Sequence, residues 1–137
     1  MKRLPIAALV TSLLLAAAQT PAQAQDGGAV ARQIDGMYPK LDVIYKDLHA
    51  HPEVAFQEVR TAAKLAAEMK KLGFTVTEKV GRTGVVAVLR NGAGPTVLVR
   101  TELDGLPLEE KTGLPYASKA RATSDGRDSY VTHSCGH

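Results

Sequence analysis

Residues 96–107 read Thr96-Val-Leu-Val-Arg100-Thr-Glu102-Leu-Asp104-Gly-Leu-Pro107. A short apolar and β-branched run, Thr96 to Val99, is followed closely by two carboxylates two residues apart. Near-continuous runs of this kind suit strands covered on both faces. Glu102 and Asp104 then stand at the carboxyl end of a strand, which is where open α/β sheets hold their ligands. Acids at i and i+2 point the same way only while strand geometry persists. The functional reading makes Asp104 a metal ligand, or a carboxylate that fixes a metal-binding imidazole. The bland reading is a solvated loop start, where acids are common.

The flanking sequence supports an α/β domain. Gly84 to Leu89 is a second β-branched run, and Phe74 to Val80 alternates, with Val76 and Val80 separated by polar residues. Gly81-Arg-Thr-Gly84 and Asn91-Gly-Ala-Gly-Pro95 carry turn chemistry at the junctions. Upstream, Glu58 to Leu72 places Val59, Ala62, Ala63, Leu65, Ala66, Met69 and Leu72 on one face. That periodicity predicts an amphipathic helix, with Gly73 as its stop. Ile34, Met37, Leu41, Ile44, Tyr45 and Leu48 predict an earlier helix, in which Pro39 marks a first turn or a kink. His49-Ala-His51-Pro52-Glu53 ends it, and Gln25 to Val30 is a flexible lead-in. Gly105 to Thr132 shows neither period and is expected to be a long, functional loop.

Residues 1–24 have the features of an export signal. Lys2 and Arg3 precede an uncharged run from Ile6 to Ala18, and Ala22-Gln-Ala24 offers a cleavage site. The run falls short of the roughly 20 apolar residues a spanning helix needs. Cleavage would leave residues 25–137 as one domain, exported to the periplasm or secreted, with no stable membrane span. It would also lower the net charge from +3 to +1, because Lys2 and Arg3 leave and no acid does. Nucleic-acid binding would need a clustered basic face with aromatics. Two Phe, four Tyr and no Trp, with no basic cluster, argue against it.

A lone cysteine cannot form an internal disulfide, so the surroundings of Cys135 decide its role. It lies in His133-Ser-Cys135-Gly-His137, where thiolate and imidazole two residues apart can meet at one cation. Gly136 lets the backbone bend between them. Two rivals stand beside this reading: a buried Cys next to surface histidines, and a nucleophilic Cys135 served by a histidine base. A site usually needs three or four protein ligands, so the motif reads as the first part of a larger site. His49 and His51 could form another metal pair, but at a helix end a histidine more simply caps carbonyls.

The succession Leu48-His-Ala-His51-Pro52-Glu53, Phe56-Gln-Glu58, a helix, Arg100-x-x-x-Asp104-x-Leu-Pro107 and His133-x-Cys135-Gly-His137 resembles one group of enzymes. These are the metal-dependent amidohydrolases related to hippurate hydrolase, N-acyl-amino-acid amidohydrolases and the hydrolases of indole-acetate conjugates. They group with the aminoacylase and carboxypeptidase metallopeptidases. The similarity runs from about His49 to His137. It implies the N-terminal part of a mixed-sheet α/β catalytic domain, with a lid domain that these residues do not include. It also implies that Cys135 and His137 bind a pair of divalent ions (zinc or manganese) with the cysteine bridging, that His133 lies close by, and that Asp104 orients the site.

Two departures stand out: the family usually has Asp where this chain has Glu102, and Ala where it has Gly105. The general-base glutamate, the other ligands and the lid would lie beyond residue 137. The implied reaction is two-metal hydrolysis of an N-acyl amino acid or small peptide, by an enzyme that can form a homo-oligomer through its lid. The 137 residues alone are expected to be inactive. The alternatives are a non-catalytic remnant with weak metal binding and a cysteine-nucleophile hydrolase.

Overall fold

A computed structural model describes residues 27–135 of the 137-residue chain. The expected signal at 1–24, together with His137, lies outside the described residues.

Helix α1 spans Gly27–Ala50, beginning earlier than the apolar periodicity suggests and taking in residues 27–30 of the expected lead-in. Pro39 sits in its interior rather than its first turn, where the missing N–H deletes one ladder bond. The apolar face of α1 is largely open: Ile34, Met37, Tyr38 and Leu41 are exposed. Ion pairs tie it to the next helix instead. Lys40 Nζ lies 2.8 Å from a Glu68 oxygen, and Asp47 receives Arg60 at 2.7 Å and also Lys64.

Helix α2 spans Val59–Lys71 and is the element the sequence announced most clearly. Its end is a Schellman turn. Gly73 adopts φ +84°, its N–H donates to the Lys70 carbonyl, and the Phe74 N–H donates to that of Met69, both at 3.1 Å. Gly73 thus turns the chain directly into strand β1, Thr75–Val80, which pairs antiparallel with β2, Gly84–Val88. A bulge at Lys79 (φ +61°) shifts the register before the turn. The α2 helix packs on both strands, with Thr61, Ala62 and Ala66 buried. The outer side of this hairpin stays open, with Val86 and Val88 nearly half exposed. The expectation of a strand covered on both faces therefore fails for β2.

The expected strand at Thr96 to Val99 does not form. The stretch pairs with nothing among the described residues, and Val97, Leu98 and Val99 are 80–87% exposed. β-Branched side chains favour an extended chain, but a strand also needs a neighbour for its N–H and C=O groups.

The expected loop from Gly105 to Thr132 contains a second hairpin, β3 (Arg121–Ser124) and β4 (Arg127–Tyr130). Its two-residue turn is Asp125-Gly126, both at positive φ (52° and 73°), as a type I′ turn requires. The described strands thus form two separate antiparallel pairs. Among the described residues the apolar core is small: Val54, Ala62, Ala66 and Val131. Full burial of Val54 and Val131 contributes roughly 1.5–3 kcal/mol each. Among the described residues no helix is long and apolar enough to cross a membrane.

Candidate functional site

Three distant stretches meet between α1, α2 and the end of β4. The first is Pro52-Glu53. The Glu53 carboxylate accepts the N–H groups of Arg60 (3.0 Å) and Thr61 (2.7 Å), covering two open donors at the start of α2. Glu58, the residue at the cap position, makes no such bond and accepts the Thr83 hydroxyl instead. The Glu53 carbonyl accepts the Gly105 N–H at 2.7 Å, joining the helix start to the Asp104 stretch.

Gly105 is a point of close approach between these stretches. A Cβ there would lie 2.9 Å from Pro52 Cβ, 3.0 Å from Val131 Cγ1 and 3.2 Å from the Thr132 carbonyl oxygen. One residue on, Leu106 and Thr132 form an antiparallel bridge, exchanging N–H···O bonds of 2.9 and 3.0 Å. The bridge draws the Asp104 stretch alongside Thr132-His133-Ser134-Cys135.

Asp104 acts electrostatically on His133. Burial lowers the pKa of that imidazole, nearby His49 lowers it further, and Asp104 opposes both. His133 Nε2 is buried with no hydrogen-bond partner among the described residues. An imidazole with a lowered pKa, and with a nitrogen shielded from water and unused by the described residues, is chemically suited to a cation. Cys135 is a free, exposed thiol. This donor chemistry fits a divalent transition ion. The described residues do not complete a site: no group of three or more His, Cys, Asp or Glu among them could hold a metal ion. His137, the other expected ligand, lies outside the described residues. Glu102 is paired with Arg100 at 2.7 Å.

The two earlier histidines part company. His51 Nδ1 donates to the Asp47 carbonyl at 2.8 Å, the helix-end role expected of it. His49 does not cap a carbonyl. It is buried, and its Nε2 lies 3.0 Å from both oxygens of Glu110. The Glu110 carboxylate also receives the Ser118 N–H at 2.6 Å, the Thr132 hydroxyl at 3.2 Å and the Thr112 hydroxyl. Burial would raise its pKa, but the bonds from Thr112, His49 and Ser118 outweigh this and hold it at about 2. His49, Glu110, Thr132, His133 and Ser134 help line a cleft of about 320 Å³. Sequence reasoning missed Glu110, Ser118 and Thr132. An acid in an aperiodic stretch carries no local sign that distant donors will enclose it.

No family model matches the chain. Hippurate hydrolase of Campylobacter jejuni is 38% identical over 99 residues, 72% of this chain and 24% of that protein. N-acetyl-L-cysteine deacetylase of Bacillus subtilis is 37% identical over 95 residues, 69% of this chain and 21% of that one. Among solved structures, the Bacillus subtilis YXEP protein superposes with a TM-score of 0.62 at 32% identity, over 74% of this chain and 27% of that one. It is described as a dinuclear metal-binding peptidase of the M20 family. The chain spans about a quarter of the length of the curated relatives it matches. Fold and relatives together define part of an α/β metallohydrolase catalytic domain. The chain belongs to the M20 family of metal-dependent amidohydrolases and peptidases.

Proposed function

We propose that the protein carrying this chain hydrolyses the amide bond of an N-acyl amino acid or small peptide at a two-metal site, with Cys135 and His137 among the ligands. The observation that carries the reading is the buried Nε2 of His133, without a partner among the described residues, two residues before a free Cys135 thiol, in a segment bridged to the Asp104 stretch. The names of the relatives, hippurate hydrolase and N-acetyl-L-cysteine deacetylase, agree with that substrate class.

Divalent ions bound there, zinc or manganese, would polarise an amide carbonyl and acidify water. This chain's own part is to hold and orient. Cys135 supplies a thiolate, Asp104 places a negative charge close enough to act on His133, and the Leu106–Thr132 bridge keeps the two stretches in register. Residues 25–137 alone supply two of the ligands implied by the family resemblance and should show no turnover. Lys2, Arg3, the Ile6–Ala18 run and Ala22-Gln-Ala24 support export to the periplasm or beyond.

The test uses the natural full-length polypeptide with N-acetyl and N-benzoyl amino acids. Chelation should abolish hydrolysis and added zinc or manganese should restore it. Cys135→Ala with His137→Ala should remove most of the bound metal. Metal content unchanged in that double variant would refute the assignment. Activity that survives chelation but not thiol alkylation would favour a cysteine nucleophile.

A further inference from the structure

We propose that Glu110 is a positioning residue for the metal-binding segment, gripping it three residues before Cys135. The inference rests on the reading above, that Cys135 holds a metal.

The Glu110 side chain is only 3% exposed, and its carboxylate is the meeting point of four groups from three parts of the chain. His49 reaches it from the end of α1, Thr112 and Ser118 from the loop around it, and Thr132 from the segment entering the site. A carboxylate offers about four lone-pair positions, and these donors occupy them. Two routes lead from it to the strand end. One is direct, through the Thr132 hydroxyl at 3.2 Å. The other runs through Ser118, whose N–H donates to Glu110 while its own hydroxyl donates to the Val131 carbonyl at 2.6 Å. The Val131 N–H is meanwhile held by the Ala120 carbonyl at 3.0 Å, and the Thr132 N–H by that of Leu106. Both residues that lead into His133-Ser-Cys135 are therefore fixed by backbone and side chain together. An ionised acceptor strengthens each bond. A metal ligand whose backbone is already placed loses less freedom on binding, so loosening this grip should weaken metal affinity.

The distinguishing measurement is zinc and manganese affinity of the natural full-length polypeptide by competition with a chromophoric chelator, beside circular dichroism and thermal unfolding. Thr132→Val removes one hydroxyl at constant shape and should weaken affinity about tenfold, with Thr132→Ser restoring it to within about threefold. Glu110→Gln should weaken it about tenfold or more. Combined with Thr132→Val, it should fall short of the product of the two single effects, because both cut one connection. If Glu110→Gln does not fold, the two Thr132 variants decide alone. Wild-type affinity in a folded Thr132→Val chain would overturn the proposal, and so would equal losses in Thr132→Val and Thr132→Ser. Cys135→Ala separates the two levels of inference. If it loses metal while the Thr132 variants keep it, only the positioning role fails. If it keeps metal, the metal-site reading fails as well.

Discussion

Gly105→Ala is the substitution for which the structure supplies the most direct arithmetic. The new methyl would sit 2.9 Å from Pro52 Cβ, 3.0 Å from Val131 Cγ1 and 3.2 Å from the Thr132 carbonyl oxygen. Carbon atoms in ordinary contact stand about 3.5–4.0 Å apart, so the overlap amounts to roughly half an ångström or more on two sides. The neighbours have little room to yield. Pro52 is a ring, and Thr132 O is held by the Leu106 N–H. Overfilling of this kind costs about 1–3 kcal/mol. Against it stands a gain of about 0.4–1 kcal/mol, because alanine restricts the unfolded chain. The clash should win by about 1–2 kcal/mol.

Urea unfolding of the natural full-length polypeptide, followed by tyrosine fluorescence, measures this difference. A Gly105→Ala chain as stable as wild type would show that Pro52 and Val131 can move apart freely, refuting the reasoning. The resemblance implies alanine at this place in most of the family. Relatives that carry it should therefore seat the proline farther from the strand end.

Further expectations concern charge, exposed strand and thiol. Bonds from Lys64 and Arg60 hold the Asp47 carboxyl at about 2, below its ordinary value. Its folded pKa is the lower one, so its stabilisation is complete above about pH 4 and is lost as the pH falls toward about 2. Asp47→Asn should flatten the stability–pH curve in that window, and an unchanged slope would count against the pairing. Leu98 is 87% exposed in a stretch that pairs with no strand among the described residues, so Leu98→Lys should reduce aggregation of the 25–137 polypeptide, as light scattering would reveal. Equal scattering would mean that the edge lies elsewhere. Cys135, free and exposed, should be alkylated readily by iodoacetamide in metal-free full-length protein and protected by added zinc. Identical rates with and without zinc would contradict a role as ligand.

What the sequence reveals and conceals here follows from the range of the forces involved. Helix α2 was legible because its apolar period and the glycine that ends it are local facts, and the Gly73 turn confirms both. The β3–β4 hairpin was missed although Asp125-Gly126 is a strong two-residue turn signal. The flanks Arg121-Ala-Thr-Ser and Arg127-Asp-Ser-Tyr lack apolar alternation, since neither face of that hairpin is a core face. Thr96–Val99 fails in the opposite sense: its composition favours a strand, but pairing depends on a neighbour that the described residues do not supply.

The same contrast divides the candidate site. Asp104 and Cys135 stand out as candidates by residue type and position, and the family resemblance is what singles them out from the bland readings. Glu110 is not visible, because its donors come from positions as far away as His49 and Thr132, and its burial exists only once they have gathered. A residue that meets a ligand must have the right functional group and can be read from a list. A residue that holds the first one still is defined by what surrounds it, and for that the coordinates are needed.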